Sequence, residues 1–349
     1  MESQELRPKG LLFHYTSTEG LIGILRSGHI FATHIRYLND SQEMFDALDH
    51  TEGFISEFDE VSRPGMKAFL KSAVTSFGRA VGAYVVSFTD DADALAGTEQ
   101  IPGDRLNQWR AYSTPGKGFS LGFDSRLIDP SGLGKCIEGI DGLAYLHNCE
   151  YRRNMKLSIL QRAGGLVSED WRKALIEQAL WLFKESQELG EGGAATSEEA
   201  LMNWMRSHLK SEGYPQEIES RMFRARMNAA LGMVINATAL KNEAFFEEKE
   251  WRIIMLGFPP VSADENTNAS RKVKFRNGTV GLTPYLEYPL NLRSKQSPLR
   301  TIVVGPTPHM DEAVGATKLL LQECGIRQRT DDYSEGVEVI PSQIPFRYW

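Results

Sequence analysis

The sequence predicts an α+β protein, because strands and helices mix without a regular β-α-β alternation. Short strand-like runs occur towards both ends of the chain, whereas residues 155–240 have a helical pattern throughout. With 349 residues and 41% hydrophobic content, the chain can form two average domains or one large domain with insertions. We therefore expect a core built from residues 1–154 and 241–349, with a helical insertion or small helical subdomain at 155–240.

In the N-terminal part, local signals mark where strands and helices begin and end. Leu11–Tyr15 is an apolar, strand-like run. Ser17 or Thr18 can cap the helix that follows, and Gly28 ends it. Period-two alternation predicts a strand at Lys117–Phe123. The further predicted strands are His29–Thr33, Ala83–Phe88 and Cys149–Arg152, and the further predicted helices are Glu43–Glu57, Gly65–Arg79 and Leu106–Tyr112.

The C-terminal part contains strand signals separated by turn residues. Asn277-Gly278 is typical of a hairpin turn, so it predicts a strand pair formed by Lys272–Phe275 and Thr279–Tyr288. A helix is expected over residues 311–324. The other predicted strands are Trp251–Met255, Arg300–Pro306 and Val337–Pro341.

The composition argues against several classes of protein. A net charge of −7 and a pI near 5.6 oppose a broadly basic nucleic-acid-binding surface, although they leave a local basic patch open. The chain has no run of about 18 apolar residues, and its N-terminus is acidic and polar, so we expect neither a membrane span nor a signal peptide. Its three cysteines lack metal-type spacing, which disfavours a disulfide framework or a structural zinc site. The expected compartment is the cytoplasm.

The sequence around Glu250 contains the first candidate site. In an extended segment, Glu248 and Glu250 project to the same face, where their repulsion raises one pKa unless a cation compensates. Arg252 lies two residues further along on the same face and is the candidate cation. The alternative is a solvated edge strand with an ordinary Arg–Glu pair.

A second candidate site lies at the end of the first predicted strand. The neutral ring of His14 both donates and accepts hydrogen bonds, which suits contact with a ligand. If the two strands are neighbours in one sheet, His14 and Glu250 face each other across a cleft. The alternative is a half-buried histidine bonded to the backbone. Trp109 and Tyr112, three residues apart on a helical turn, suit either a stacking wall for a flat ring or ordinary core packing.

Gly118 to Gly122 matches the G-x-S-x-G pattern of serine hydrolases, but that pattern works only as a strand-turn-helix elbow. Because Ser120 lies inside an alternating strand, we do not expect it to act as a nucleophile. His147 and Cys149 lack a partner cluster, so no metal site is expected either.

Taken together, these segments resemble a bacterial family of unknown function, the domain-of-unknown-function family 2971. The resemblance covers residues 11–347 and depends on the order of many short motifs rather than on any one of them. The matching pieces are Phe13–Ser17, Leu38–Asp40 with Glu43, Val86–Phe88, Trp109–Tyr112, Gly118–Phe123, Phe246 with Glu248–Arg252, Pro284-Tyr285, Val304–Pro306 and Ser342–Arg347.

That family is in turn similar to the ADP-ribosyltransferase fold, a split mixed β-sheet with flanking helices. Such enzymes carry a polar residue on the first strand, a Ser or Tyr element after a middle strand, and a Glu that opens a later strand. The resemblance implies that Glu250 and Glu248, which form an E-x-E element, are the catalytic residues. The long loop before Tyr112 departs from the pattern and leaves Trp109 or Tyr15 as alternative stacking rings. The implied NAD-binding residues are His14, Tyr15, Thr16, Asn39, Ser87, Trp109, Tyr112 and Arg252.

The resemblance implies an enzyme that cleaves NAD. Cleavage of the nicotinamide–ribose bond passes through an oxocarbenium-like state, which the carboxylate of Glu250 would stabilise. NAD is then the substrate, the acceptor is an unidentified protein or nucleic acid, and a toxin or phage-defence effector is the expected setting. Water as acceptor would make the chain an NAD glycohydrolase. The remaining alternative is an inactive module that binds a nucleotide or a partner protein through 155–240, and self-association stays open.

Overall fold

The structure is a computed structural model. It describes residues 8, 10–38, 82–91, 100–113, 116–130, 144–151, 238–257, 273–278, 281–330 and 335–345. These residues belong to one compact unit of the chain, formed by Met1–Phe45, Val81–Arg152 and Thr238–Trp349. A second compact unit, Asp46–Ala80 with Arg153–Ala237, lies outside the described residues. The predicted helices Glu43–Glu57 and Gly65–Arg79 and nearly all of the predicted helical stretch 155–240 lie outside them as well.

In the described part of the chain, ten strands form one mixed sheet. They are β1 (Leu11–Ser17), β2 (His29–His34), β3 (Gly82–Asp90), β4 (Gly118–Asp124), β5 (Ala144–Asn148), β6 (Glu250–Gly257), β7 (Lys274–Gly278), β8 (Gly281–Pro289), β9 (Leu299–Val304) and β10 (Glu338–Pro341). The main strand order is β10-β9-β4-β1-β3-β2-β8-β7, and β6 pairs with β3 and with β5. The described strand pairs are antiparallel except for β9 and β10. The predicted α+β class is confirmed.

Short helices flank the sheet. In the described part of the chain they are α1 (Thr18–Ser27), α2 (Leu106–Tyr112), α3 (Ser125–Ile128), α4 (Met310–Glu323) and the 3₁₀ turns Ile35–Tyr37 and Glu243–Glu248. The predicted ends of α1 are confirmed. Ser17 Oγ accepts a hydrogen bond from the N–H of Gly20 at 3.2 Å, and Gly28 ends the helix with a φ of 70°. None of the described helices has the length and apolar content that crossing a bilayer requires.

One predicted strand is displaced along the chain. Instead of Cys149–Arg152, the strand covers Ala144–Asn148 and pairs with β6. The last hydrogen bond to β6 runs from the N–H of Cys149 to the carbonyl oxygen of Glu250 at 2.8 Å, and the pairing ends there because Glu250 is the first residue of β6. The backbone after β5 turns to another segment, and Glu150 forms an isolated parallel bridge with Leu240.

The sheet has two faces, which we name after the helices that cover them. Neighbours within a strand alternate between the faces, and residues directly opposite each other in antiparallel strands share one. The α1 face is the main core, where α1 and α4 pack on strand residues such as Leu12 and Phe88. The α2 face carries a smaller cluster, in which Trp109 of α2 packs with Phe13 and Tyr15.

Two strands share one edge of β3. Because β6 pairs with the other edge along nearly the whole strand, β1 and β2 both lie on the remaining edge. There β1 pairs at Thr89 and Asp90, and β2 pairs at Tyr84 and Val85. Residues 86–88 thus have no partner on that edge among the described strands. We name this opening the sheet gap.

Gly103 holds the loop above the α2 face in a backbone conformation that favours glycine. Its φ is 78°, and a Cβ there would overlap the ring of Phe13. We expect Gly103→Ala to lower the free energy of unfolding by about 2–4 kcal/mol, because backbone strain and steric overlap add. Urea unfolding measures this change. The control is Gly23→Ala in α1, where open space should let alanine raise stability by up to about 1 kcal/mol. Equal stability of the two variants would contradict the prediction.

Candidate functional site

The backbone before β6 is turned rather than extended. Asn242 caps the 3₁₀ turn, since its side-chain oxygen accepts a hydrogen bond from the N–H of Ala244 at 2.9 Å. Lys249 then adopts a left-handed conformation, with φ 44° and ψ 49°, and β6 begins at Glu250. The prediction that Glu248 and Glu250 lie in one extended segment is therefore wrong, because Glu248 belongs to the turn.

The two carboxylates nevertheless meet at one lysine. The Nζ of Lys241 donates to Oε2 of Glu248 at 2.7 Å and forms an ion pair with Oε2 of Glu250. Glu250 also accepts a hydrogen bond from Nε of Arg252 at 2.7 Å, which confirms that predicted pair. Arg252 donates through Nη1 to the carbonyl oxygen of Thr238 at 2.8 Å. We call Lys241, Glu248, Glu250 and Arg252 the charge cluster.

The charge cluster is buried and formally neutral. The exposed fraction is 5% or less for the Lys241, Glu250 and Arg252 side chains, and 14% for that of Glu248. Burial opposes ionisation of Glu250, but the charges and hydrogen bonds of Arg252 and Lys241 outweigh it and lower its pKa to about 2. Glu250 is thus an ionised carboxylate, fixed at the start of a strand, at any pH near neutrality.

Tyr112 extends the charge cluster towards solvent. Its hydroxyl donates to Oε2 of Glu248 at 3.0 Å, and 41% of the residue is exposed. Burial of the hydroxyl raises the pKa of Tyr112; the charge of Lys241 opposes this, and that of Glu248 adds to it. The phenol therefore stays neutral, and its ring is accessible to a flat ligand.

Trp109 and Tyr15 are packing residues of the α2 face. Trp109 is 2% exposed, and its ring meets that of Tyr15 edge-on with the centroids 4.8 Å apart. The hydroxyl of Tyr15 donates to the carbonyl oxygen of Gly103 at 2.8 Å. Both rings are enclosed, so the core-packing alternative describes Trp109. Of the three candidate stacking rings, Tyr112 is the exposed one.

Asp104 anchors α2 to the C-terminal segment. Its carboxylate accepts hydrogen bonds from Nε1 of Trp109 at 2.8 Å, the hydroxyl of Ser342 at 2.6 Å and the N–H of Gln343 at 2.8 Å. The first residues of the C-terminal motif therefore have a structural role, because they fix the helix that carries Tyr112.

His14 and Glu250 do not face each other across a cleft, and that prediction is wrong. β3 lies between β1 and β6, with Phe13 opposite Thr89 and Thr89 opposite Glu250. Phe13 and Glu250 therefore share the α2 face, whereas His14, the next residue, lies on the α1 face. Nδ1 of His14 is 3.0 Å from the carbonyl oxygen of Ser87, so the ring bridges the sheet gap. His14 therefore matches the alternative interpretation, in which the histidine is hydrogen-bonded to the backbone.

The remaining predicted NAD-binding residues divide between the two faces. Ser87 lies opposite Arg252 on the α2 face. Thr16 lies on the α1 face, where its hydroxyl sits against Gly20 of α1. Asn39 lies outside the described residues. The structure thus brings together, on one face of the sheet, Ser87, Tyr112, Glu248, Glu250 and Arg252.

Sequence reasoning missed Lys241 and Tyr151. Lys241 precedes Glu250 by 9 positions, and the hydroxyl of Tyr151, 99 positions away, accepts from the N–H of Glu250 at 2.7 Å. Neither residue has a local spacing signal, because each reaches β6 from a separate segment. Ser120 of the G-x-S-x-G pattern is fully buried in the middle of β4. Within the described ranges, no group of three or more His, Cys, Asp or Glu side chains is placed to hold a metal ion.

The part of the chain that carries most of this site is similar to a known family. Residues 108–253 match the model of the family described as Protein of unknown function (DUF2971). The DUF2971 match spans less than half of the chain, but it includes Tyr112 and the whole charge cluster. It supports the predicted resemblance to that family and names no activity. No curated protein and no solved structure matches the chain.

Proposed function

We propose that this protein is an ADP-ribosyltransferase-like enzyme that cleaves the nicotinamide–ribose bond of NAD. The observation that carries the proposal is Glu250, a buried carboxylate held ionised by Lys241 and Arg252 beside the exposed ring of Tyr112. A mixed sheet with a gap between β1 and β2 supports it, because the family resemblance implies a split mixed sheet.

The reaction requires a fixed negative charge. As the bond to nicotinamide breaks, positive charge develops on the ribose in an oxocarbenium-like transition state. An oriented carboxylate stabilises that charge more than it stabilises the neutral ribose, so it lowers the barrier. Glu250 suits this role because its pKa of about 2 keeps it ionised and its two cationic partners keep it in place.

The neighbouring residues have complementary roles in this proposal. The exposed ring of Tyr112 stacks on the nicotinamide ring. Arg252 orients Glu250, and Ser87, opposite Arg252, offers a hydroxyl to the ligand. Glu248 polarises the attacking hydroxyl of the acceptor, since it lies between Lys241 and Tyr112 near the solvent-facing side of the charge cluster.

The acceptor decides the class of enzyme. With a hydroxyl of a protein or nucleic acid as acceptor, the product is a modified macromolecule, as expected of a toxin or a phage-defence effector; this setting rests on analogy with the fold. With water as acceptor, the products are free ADP-ribose and nicotinamide, and the enzyme is an NAD glycohydrolase.

A binding module without catalysis is the second candidate function. The observation that favours it is that both carboxylate oxygens of Glu250 already have partners. Oε1 accepts from Arg252, and Oε2 contacts both Arg252 and Lys241. A ribose hydroxyl would have to share those oxygens with the two cations. In a binding module, the charge cluster only stabilises the fold.

NAD turnover by the purified protein tests the proposal. Wild type and Glu250→Gln are incubated with NAD and a bacterial lysate as the acceptor source, and the products are separated by chromatography. We expect wild type to consume NAD and Glu250→Gln to be about 100-fold slower, the usual loss when one oriented electrostatic group is removed. ADP-ribose attached to a macromolecule indicates a transferase, and free ADP-ribose indicates a glycohydrolase.

Glu287→Gln is the matched control. Glu287 lies on β8 and pairs with Lys274 at 2.7 Å, outside the charge cluster, so we expect wild-type turnover. Circular dichroism and thermal unfolding establish that each variant is folded. Folded wild type that consumes no NAD would refute the catalytic proposal and favour the binding module. Undiminished turnover in folded Glu250→Gln would refute the role of Glu250.

A further inference from the structure

Arg276 reaches from a hairpin towards the sheet gap. It lies on β7 opposite Thr283 of β8, and its Nη2 donates to the hydroxyl oxygen of Thr33 on β2 at 2.9 Å. The side chain therefore crosses β8, which separates β7 from β2 in the sheet. Thr33 is opposite Val85, the last residue of β3 that pairs with β2 before the gap begins.

The guanidinium of Arg276 has a neutral partner. Arg276 is exposed, and its hydrogen bond within the described residues goes to the hydroxyl of Thr33 rather than to a carboxylate. Lys274, two residues earlier on the same side of β7, is by contrast paired with Glu287 at 2.7 Å. The positive charge of Arg276 thus remains available to a bound anion.

The positive charge of Arg276 acts on His14, the side chain that bridges the sheet gap. Burial lowers the pKa of His14, its hydrogen bond to the carbonyl oxygen of Ser87 opposes this, and the charge of Arg276 lowers the pKa further. His14 is therefore neutral near pH 7 and donates its Nδ1 proton to Ser87. Of these two basic side chains at the gap, Arg276 is the one that carries charge.

Arg276 and the charge cluster lie on the same face of the sheet. Thr33 is opposite Val85, and Glu250 is opposite Thr89. Val85 and Thr89 both lie on the α2 face and are separated by four positions, or ~13 Å at ~3.3 Å per residue. Thr33 and Glu250 lie on opposite sides of β3, so two strand spacings of ~4.8 Å combine with this separation and place the two positions ~16 Å apart. A ligand that contacts both Arg276 and Glu250 must therefore extend across β3.

We propose that Arg276 and Thr33 form an anion site beside the sheet gap that binds the diphosphate group of a nucleoside diphosphate. The planar guanidinium presents paired donors that match two phosphate oxygens. The hydroxyl of Thr33 accepts from Arg276 and keeps its own proton to donate to a phosphate oxygen. The identification of NAD as the natural ligand rests on the proposed function, whereas the binding of ADP does not.

Calorimetric titration with ADP, ADP-ribose and adenosine tests the anion site. We expect Arg276→Gln to weaken the binding of ADP and ADP-ribose about 10- to 100-fold, the loss typical of a hydrogen-bonded charge, and to leave the binding of adenosine unchanged. Arg276→Lys should recover part of the affinity, because it keeps the charge and loses the paired donors. Lys274→Gln is the control on the same strand and should bind like wild type.

The outcomes separate this inference from the proposed function. Wild type that binds neither ADP nor ADP-ribose, or folded Arg276→Gln that binds both with wild-type affinity, overturns the anion site. If Arg276→Gln loses ADP binding but wild type consumes no NAD, the anion site stands and the proposed reaction fails. If wild type consumes NAD and Arg276→Gln has an unchanged KM for NAD, the reaction stands and the identification of NAD as the ligand of the anion site fails.

Discussion

Replacing Lys241 with methionine is expected to lower the free energy of unfolding by about 3–5 kcal/mol. Methionine fills much of the same volume, but it leaves Glu248 and Glu250 in a buried site with Arg252 as the one remaining cation of the cluster. Removal of one member of a buried ion network is costly because it leaves an excess charge, here negative, in a buried site without a balancing cation. Urea unfolding of the purified variant at neutral pH measures the change.

A second substitution tests whether charge balance is the cause. Adding Glu248→Gln to Lys241→Met leaves one carboxylate and one cation, Glu250 and Arg252, so we expect stability to recover with a coupling free energy of about 1–3 kcal/mol. Lys274→Met is the control, because an exposed pair with Glu287 contributes at most about 1 kcal/mol. A loss below about 1 kcal/mol for Lys241→Met would show that water screens the charge cluster.

Structural features whose causes are local were predictable from the sequence. α1 begins and ends as expected, because Ser17 bonds an N–H group of the first turn and Gly28 takes the left-handed backbone at the end. α2 has the predicted bounds Leu106–Tyr112. The pairing of Arg252 with Glu250 was predictable for a similar reason, since a spacing of two within a strand keeps both side chains on one face.

The register between distant strands was not predictable. Whether Phe13 or His14 shares a face with Glu250 depends on a shift of one residue, because side chains alternate along a strand. That shift is decided by how β3 pairs on its two edges, and nothing near His14 specifies it. The position of Lys241 was not predictable for the same reason, because its segment is brought to the charge cluster by backbone hydrogen bonds with the distant residue Glu150.

Acid is expected to remove a large part of the stability that Glu250 contributes. The pKa of this carboxyl falls from an ordinary 4.5 to about 2 in the folded chain, so the unfolded chain binds the proton more readily. The contribution is therefore complete above the unfolded pKa, declines as the pH falls through 4.5 and is lost near pH 2. The difference between the two pKa values corresponds to about 3 kcal/mol, of which about 2 kcal/mol is lost by pH 3.

Histidines affect stability in a different pH range. Burial and the charge of Arg36 lower the pKa of His34 from 6.5 to about 4, so the unfolded chain takes up this proton first. Stability that depends on neutral His34 is lost as the pH falls from 6.5 to 4. The lowered pKa of His14 acts in the same direction. A loss of stability above pH 4.5 therefore reports mainly on histidines.

Urea unfolding of wild type and Glu250→Gln between pH 7 and pH 3 isolates the carboxylate. Both proteins retain the histidines, whereas glutamine does not titrate, so the difference between them should shrink by about 2 kcal/mol as the pH falls from 5 to 3. A constant difference would mean that the pKa of Glu250 is the same in the folded and unfolded chains, so that Lys241 and Arg252 do not lower it. If wild type instead gains stability relative to Glu250→Gln as the pH falls from 7 to 5, the pKa of Glu250 is raised in the folded chain. That result would remove the physical basis of the proposed reaction, because a carboxyl group that is protonated near neutral pH has no charge with which to stabilise an oxocarbenium-like ribose.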